Sequence, residues 1–132
     1  MPRDVFTAGN PQDWLRNARS DLALARLRKT RSLLYEHLCF HAQQASEKAI
    51  KSVLLSHGVA FPGTHDLAFL MDCLPESLSV PPSLIDLPSL TKYAVQQRYP
   101  GDAPMVTSTQ REHALRLAEQ AVAWASHHIL KK

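Results

Sequence analysis

Five polar side chains recur at helical spacing in the first half of the chain: His37, His41, Gln44, Lys48 and Lys51. At the period of an α-helix they fall within one turn-width of surface. Amide and ammonium groups so arranged offer donors and positive charge to an anion, which makes this face a candidate nucleotide-binding surface. The alternative is a solvated face, in which Glu47 pairs with Lys51 at i, i+4 for about 0.2–0.5 kcal/mol. His37 and His41 also have the spacing of two metal ligands on one helix, with His65 or Cys73 as the nearest thought for a third. No His-Glu-x-x-His motif accompanies them, and no metal site or cofactor is assigned.

A second pointed feature is Arg98-Tyr99-Pro100. A planar cation beside an aromatic ring can hold a phosphate and stack a base; the plainer reading is a turn whose Tyr packs on the fold. The densest basic stretch, Arg26, Arg28, Lys29 and Arg31, reads either as a helix end, where cations complement the dipole, or as a phosphate-facing patch. His127 and His128 near the C-terminus likewise suit a helix dipole. Four glycines supply no phosphate-cradling loop, and no serine stands in a Gly-x-Ser-x-Gly context. Cys39 falls on the small-residue face of its helix and reads as a packed thiol.

These side chains need helices to position them. Asn10-Pro11 is a start signal, with Asn as N-cap and Pro at the first helical position. Trp14, Leu15, Ala18, Leu22 and Ala25 then share a face, predicting a helix over about 11–30. Ala23, Leu24 and Leu27 form a second apolar strip on its other side, which suits a partner chain. A second helix over about 33–57 carries the narrow stripe Leu38, Ala42, Ala45, Ala49 and Val53, and Gly58 is placed to end it. Thr64 reads as the N-cap of a third helix, with Asp66 in its first turn and Leu67, Leu70, Met71 and Leu74 inward. Four prolines between 75 and 88 predict irregular chain, followed by a short helix over 88–97 with Leu90, Tyr93 and Ala94 buried. Thr109 and Glu112 suggest a capping box for a last helix over about 109–130. Its core face is Ala114, Leu115, Ala118, Ala121, Val122, Ala125 and Ile129, with Leu117 and Trp124 at one edge. The expected fold is all-α: an antiparallel four-helix up-down bundle with one additional short helix.

The whole composition agrees. The chain has 132 residues, 45% hydrophobic and 20% charged, which fits one domain with its core at about 11–130 and excludes a disordered chain. No apolar run is long enough to span a membrane. The N-terminus leads into no apolar signal segment, and the two cysteines form no C-x-x-C pair, so a cytoplasmic protein with reduced thiols is expected. A net charge of +3 is mild, but it is unevenly spread: residues 1–57 carry nine Lys/Arg against five Asp/Glu, and residues 58–97 one against four.

The stretch Ala42-Gln43-Gln44-Ala45-Ser46-Glu47-Lys48-Ala49-Ile50-Lys51-Ser52-Val53-Leu54 resembles the second-helix signature of HEPN domains (higher eukaryotes and prokaryotes nucleotide-binding). The flanking order is similar too: Asp21-Leu22 and Ala25 before it, Tyr35 and Cys39-Phe40 at the opening of the helix, then Thr64-His65-Asp66-Leu67, then Tyr93 to Arg98-Tyr99-Pro100 and an Ala-rich last helix. The resemblance covers about residues 12–130. It implies a helical bundle, often a homodimer, and frequent pairing with a small nucleotidyltransferase-fold protein in a toxin–antitoxin-like system. It implies a module that binds nucleotide or RNA; taken with the polar helical face and the Arg-Tyr loop, it makes Gln44, Lys48, Lys51, Arg98 and Tyr99 the expected ligand contacts. Catalytic relatives are metal-independent endoribonucleases with an Arg and a His separated by four to six intervening residues near the start of the last helix. Here Arg98 is the best match for the Arg, but no His follows at that distance. His113 is too far along, Arg111-Glu112-His113 is too close-spaced, and Arg31 with His37 straddles the junction of the first two helices. An enzymatic reading would therefore rest on Arg98 with His65 or His113 as the acid/base.

Overall fold

The computed structural model describes residues 5–6, 9–95 and 105–130. Five α-helices carry it: α1 (Pro11–Ala25), α2 (Tyr35–Ser56), α3 (Leu67–Asp72), α4 (Lys92–Val95) and α5 (Ser108–Leu130). Two 3-10 turns, Pro82–Leu84 and Leu87–Thr91, fill the proline-rich stretch. The all-α expectation holds. The bundle is built on three long helices, with α1 and α5 packed on α2 and on each other, while α3, the 3-10 turns and α4 cover the remaining side of α2 and α5. Short pieces stand there because prolines at 75, 81, 82 and 88 prevent one long helix.

A feature the periodicity did not predict is a two-stranded antiparallel pairing of β1 (Val5–Phe6) with β2 (Phe61–Pro62), Phe6 opposite Phe61. It ties the segment before α1 to the loop after α2. Phe61 is fully buried, edge-on to Trp14 at 5.8 Å.

Chain boundaries follow local chemistry. At the start of α1, Asn10 accepts from the Asp13 amide at 2.8 Å. The helix stops at Ala25, short of the expected 30, because Arg111 reaches across from α5 and donates to the carbonyls of Ala25 and Leu27, both at 2.8 Å. Those acceptors would otherwise need the helix to continue. The basic cluster therefore lies in the 26–34 connection and not in a helical last turn. α2 ends as the sequence indicates: Gly58 takes φ +71°, and Val59 N–H donates to the Leu54 carbonyl at 2.9 Å while Gly58 N–H donates to Leu55 at 3.0 Å. Asp66, not Thr64, caps α3, accepting from the Phe69 amide at 3.3 Å; Thr64 instead accepts from the Asp66 amide at 3.1 Å. The capping box of α5 is Thr107 with Gln110, not Thr109 with Glu112: Thr107 N–H donates to Gln110 Oε1 at 2.8 Å, and Gln110 N–H donates to Thr107 Oγ1 at 3.1 Å. The short helix expected over 88–97 is a 3-10 turn running into α4, and residues 96–104 lie outside the described residues.

The buried stripe of α2 is as expected, with Leu38, Ala42, Ala45, Ala49 and Val53 all under 2% exposed. Small side chains here let α1 and α5 approach closely. On α5, Ala114, Ala118, Ala121, Val122, Ala125 and Ile129 are buried; Leu117 is buried and Leu115 only partly so, the reverse of the expected order. Leu24 and Leu27, from the second strip of α1, remain 39% and 48% exposed. Among the described residues no helix is long and apolar enough to cross a membrane.

Candidate nucleotide-binding site

The polar face of α2 does not stand open to solvent. It divides into two networks, each closed by residues of the same molecule. In the first, Lys48 Nζ lies 2.6 Å from Asp21 Oδ2, and His41 Nδ1 lies 3.1 Å from Asp21 Oδ1. Asp21, on α1, is nearly buried, so it anchors two α2 side chains to the neighbouring helix. In the second, Lys51 Nζ donates to Glu47 Oε2 at 2.7 Å, and both side chains are about 5% exposed or less. Gln43 Nε2 donates to Glu47 Oε1 at 3.1 Å, and Gln44 Nε2 donates to Gln43 Oε1 at 2.7 Å. The Lys51 ammonium also sits over the rings of Trp14 and Phe61, at 5.5 and 5.3 Å.

The pairing of Glu47 with Lys51 follows the spacing, but its environment does not. A solvated pair of this kind contributes a few tenths; a buried one is held by the cost of stranding either charge. Lys51 is thereby withdrawn from the surface. Gln44 and Lys48 keep partial exposure, with the Lys48 charge spent on Asp21. Arg98 and Tyr99 lie outside the described residues.

His65 joins the second network from the loop before α3. Its Nδ1 is 2.8 Å from Glu47 Oε1, and its carbonyl accepts from Gln43 Nε2 at 3.4 Å. The imidazole itself is 55% exposed while the Glu47 side chain is 4% exposed. A buried carboxylate thus orients an accessible imidazole through its Nδ1. His37 is exposed on the α2 surface and His41 is committed to Asp21. Among the described residues no three His, Cys, Asp or Glu side chains converge on a metal position. Both cysteines are free thiols; Cys39 is fully buried, and desolvation raises its pKa, opposed by a hydrogen bond with the Tyr93 side chain.

A different place in the fold gathers unspent cations. Between α4 with its preceding 3-10 turn and the first two turns of α5 lies an open groove of about 420 Å³. Lys92 and Tyr93 stand on one wall; Gln110, His113 and Arg116 stand on the other, three residues apart on α5. Lys92, His113 and Arg116 are exposed, and neither Lys92 nor Arg116 forms an ion pair with a described residue. The Lys92 ammonium lies over the Tyr93 ring at 5.4 Å. Glu112 also lines the groove, so with Lys92 and Arg116 the permanent charge is one positive unit. A guanidinium, an ammonium, an amide and an imidazole converging on one groove can hold a phosphate by charge and by directed hydrogen bonds. Sequence reasoning weighed His113 but missed Lys92, Gln110 and Arg116. The signal was the Gln110-x-x-His113-x-x-Arg116 spacing on the outer face of α5; its opposite wall comes from a segment far away in pattern, and only folding joins the two.

The HEPN domain model matches residues 11–128, which is nearly all of the chain. The chain belongs to the HEPN domain family. Two solved structures agree with the membership. TT1696 from Thermus thermophilus is 33% identical, covers 90% of this chain with 98% of its own and superposes with a TM-score of 0.75. ST0689, an archaeal HEPN homologue, is 25% identical over 92% of this chain and 98% of its own, with a TM-score of 0.72. No curated protein matches the chain significantly. The HEPN bundle here thus has its signature helix, α2, at the centre, with most of the signature's polar groups turned into internal contacts.

Proposed function

We propose that this HEPN domain is a binding module for a nucleotide or RNA, and that the phosphate sits in the groove between α4 and α5. The observation that supports it is the pair of exposed cations, Lys92 and Arg116, facing one groove beside Tyr93 and free of ion pairs to described residues. On α2 the corresponding charges are neutralised by Asp21 and Glu47, which makes that face the poorer site. Arg98 and Tyr99 stand in the chain between the two walls and are proposed as further phosphate and base contacts. The module acts in the cytoplasm, as a homodimer, in a toxin–antitoxin-like pair with a small nucleotidyltransferase-fold protein. The supports for those parts are the family, the exposed strip on α1 and the free thiols.

The double variant Lys92→Ala/Arg116→Ala tests the groove. Calorimetric titration with mononucleotides and fluorescence titration with a short single-stranded RNA should show affinity falling by about tenfold or more, the scale of one charge-assisted phosphate contact. The melting temperature should hold, because both side chains are exposed. Unchanged affinity in a folded double variant would reject the groove.

The second reading is a metal-independent endoribonuclease. The specific observation in its favour is the accessible His65 imidazole held by buried Glu47, an arrangement suited to general acid–base chemistry. Incubation of purified protein with total RNA in EDTA separates the readings. Cleavage that disappears in His65→Ala supports the enzyme, and intact RNA leaves the binding module.

A further inference from the structure

α5 borders a second opening besides the α4–α5 groove. A crevice of about 330 Å³ lies between α1 and α5, with Arg19 and Arg26 on its α1 wall and Glu119 and Ala123 on its α5 wall. The buried side chains of Leu22 and Val122 floor it. The two arginines are seven residues apart, about two helical turns, so both project from one side of α1. Each reaches α5 by a different bond. Arg26 Nε donates to Glu119 Oε2 at 2.9 Å, and the Arg19 guanidinium donates to Ser126 Oγ at 3.0 Å. Neither bond takes the cation out of water. The Arg26 and Glu119 side chains are 54% and 40% exposed, and Arg19 is exposed and forms no ion pair with a described carboxylate. An exposed pair contributes little, so Glu119 is a weak competitor for an incoming phosphate. The Lys48 and Lys51 charges, by contrast, face carboxylates that are 11% and 4% exposed.

The crevice and the groove share one face of α5. Glu112, Arg116, Glu119 and Ala123 follow at spacings of four, three and four residues and form a single ridge. Arg116 lines the groove and Glu119, the next member, lines the crevice, so the two openings lie within one helical turn of each other. α1 runs antiparallel to α5 here, since Arg26 meets Glu119 and Arg19 meets Ser126. The cations are therefore ordered along the ridge as Lys92, Arg116, Arg26 and Arg19, against the two carboxylates of Glu112 and Glu119. From Gln110 to Ser126 the helix advances about 24 Å. Leu24 of the exposed α1 strip is about 140–160° round the helix from both arginines, so a contact centred on it need not cover the crevice.

We infer that the α1–α5 crevice is a second phosphate site, and that the two openings form one track for a single RNA strand several nucleotides long. Successive phosphates meet Lys92 and Arg116 in the groove, then Arg26 and Arg19 in the crevice. Glu119 works against the strand, because it holds Arg26 until a phosphate displaces it. The span suits roughly four or five nucleotides of extended chain, at the low end of sites for single-stranded nucleic acid. A mononucleotide fills the groove alone and leaves the α1 arginines unused. The inference rests on the groove reading proposed above, and it selects a strand over a free nucleotide as the ligand.

Fluorescence titration of the full chain with oligouridines, from a trinucleotide to a strand of about eight nucleotides, tests it. Wild-type affinity should climb with length until the track is filled, to about tenfold or more above the trinucleotide. Arg19→Gln/Arg26→Gln should abolish the climb and leave trinucleotide binding unchanged. The same variant should lower the long strand's salt slope by about 0.7 for each arginine lost. Glu119→Gln should act in the opposite sense, tightening the long strand and not the trinucleotide, because Arg26 is released from its pair. Damage to the fold does not produce length-dependent effects of opposite sign. The inference is overturned by a long strand that binds no tighter than the trinucleotide. It is equally overturned by an arginine variant that weakens both lengths alike or neither, or by Glu119→Gln weakening the long strand. Failure of the groove reads differently: trinucleotide binding then survives Lys92→Ala/Arg116→Ala. Absence of binding at every length overturns both.

Discussion

At the scale of single residues, the Lys51–Glu47 pair shows how strongly environment governs an interaction. Both side chains are almost wholly removed from water, and Glu47 accepts from Lys51 and from Gln43 and lies 2.8 Å from the His65 ring Nδ1. Deleting one member leaves a buried charge with no counter-ion. Lys51→Met should therefore lower unfolding free energy by about 3–5 kcal/mol in urea titrations. Removing both charges, in Lys51→Met/Glu47→Leu, should recover a good part of that loss, since the desolvation cost of both ions vanishes with them. A Lys51→Met variant within about 0.5 kcal/mol of wild type would show that the pair is not buried in solution. Gln44 is a lesser case: it is half-buried and bonded to Gln43, so its truncation costs on the scale of one hydrogen bond.

Among the elements, the N-terminus of α5 carries the clearest test, because two candidate capping boxes lie two residues apart. The geometry selects Thr107 with Gln110, joined by reciprocal backbone contacts at 2.8 and 3.1 Å. Thr107→Ala should cost about 0.5–2 kcal/mol, the range for loss of an N-cap. Thr109→Ala and Glu112→Ala, on exposed positions inside the helix, should stay within about 0.5 kcal/mol. Equal losses at Thr107 and Thr109, read from thermal or urea unfolding, would contradict the assignment. The sequence placed this helix to within a residue because Ala-rich periodicity marks the helix body well. It misplaced the cap because Thr, Ser, Thr and Gln in succession offer several plausible boxes, and only the backbone path chooses among them. The early end of α1 has the same origin. Nothing near residue 26 announces a stop; an arginine from α5, distant in sequence, supplies the acceptors' partner.

For the whole molecule, the uneven charge has consequences for ligand binding. On the proposed reading, RNA held in the α4–α5 groove should be released as salt rises, because cations on the protein displace counterions from the backbone. Each phosphate neutralised contributes a slope of about −0.7 in log affinity against log salt for a single strand. Arg116→Gln should reduce the slope by about that amount, whereas Lys48→Gln should not change it, the Lys48 charge being already spent on Asp21. A slope that drops with Lys48 and not with Arg116 would return the site to the α2 face.

The all-α class, the three long helices, the C-terminal stop of α2 at Gly58 and the HEPN signature were all legible in the linear chain. Helical periodicity, caps and a rare run of residues are properties of neighbours, and they survive without knowledge of the fold. Which partners meet the polar α2 face is visible only in three dimensions. Spacing can show that Gln44, Lys48 and Lys51 share a face, but it cannot say whether Asp21 from α1 and His65 from the α3 loop arrive to cover it. Likewise the groove of Lys92 and Arg116 exists because tertiary packing brings α4 against the first turns of α5. Burial and long-range pairing decide which charges are spent inside the molecule and which remain for a ligand, and neither is written in local sequence.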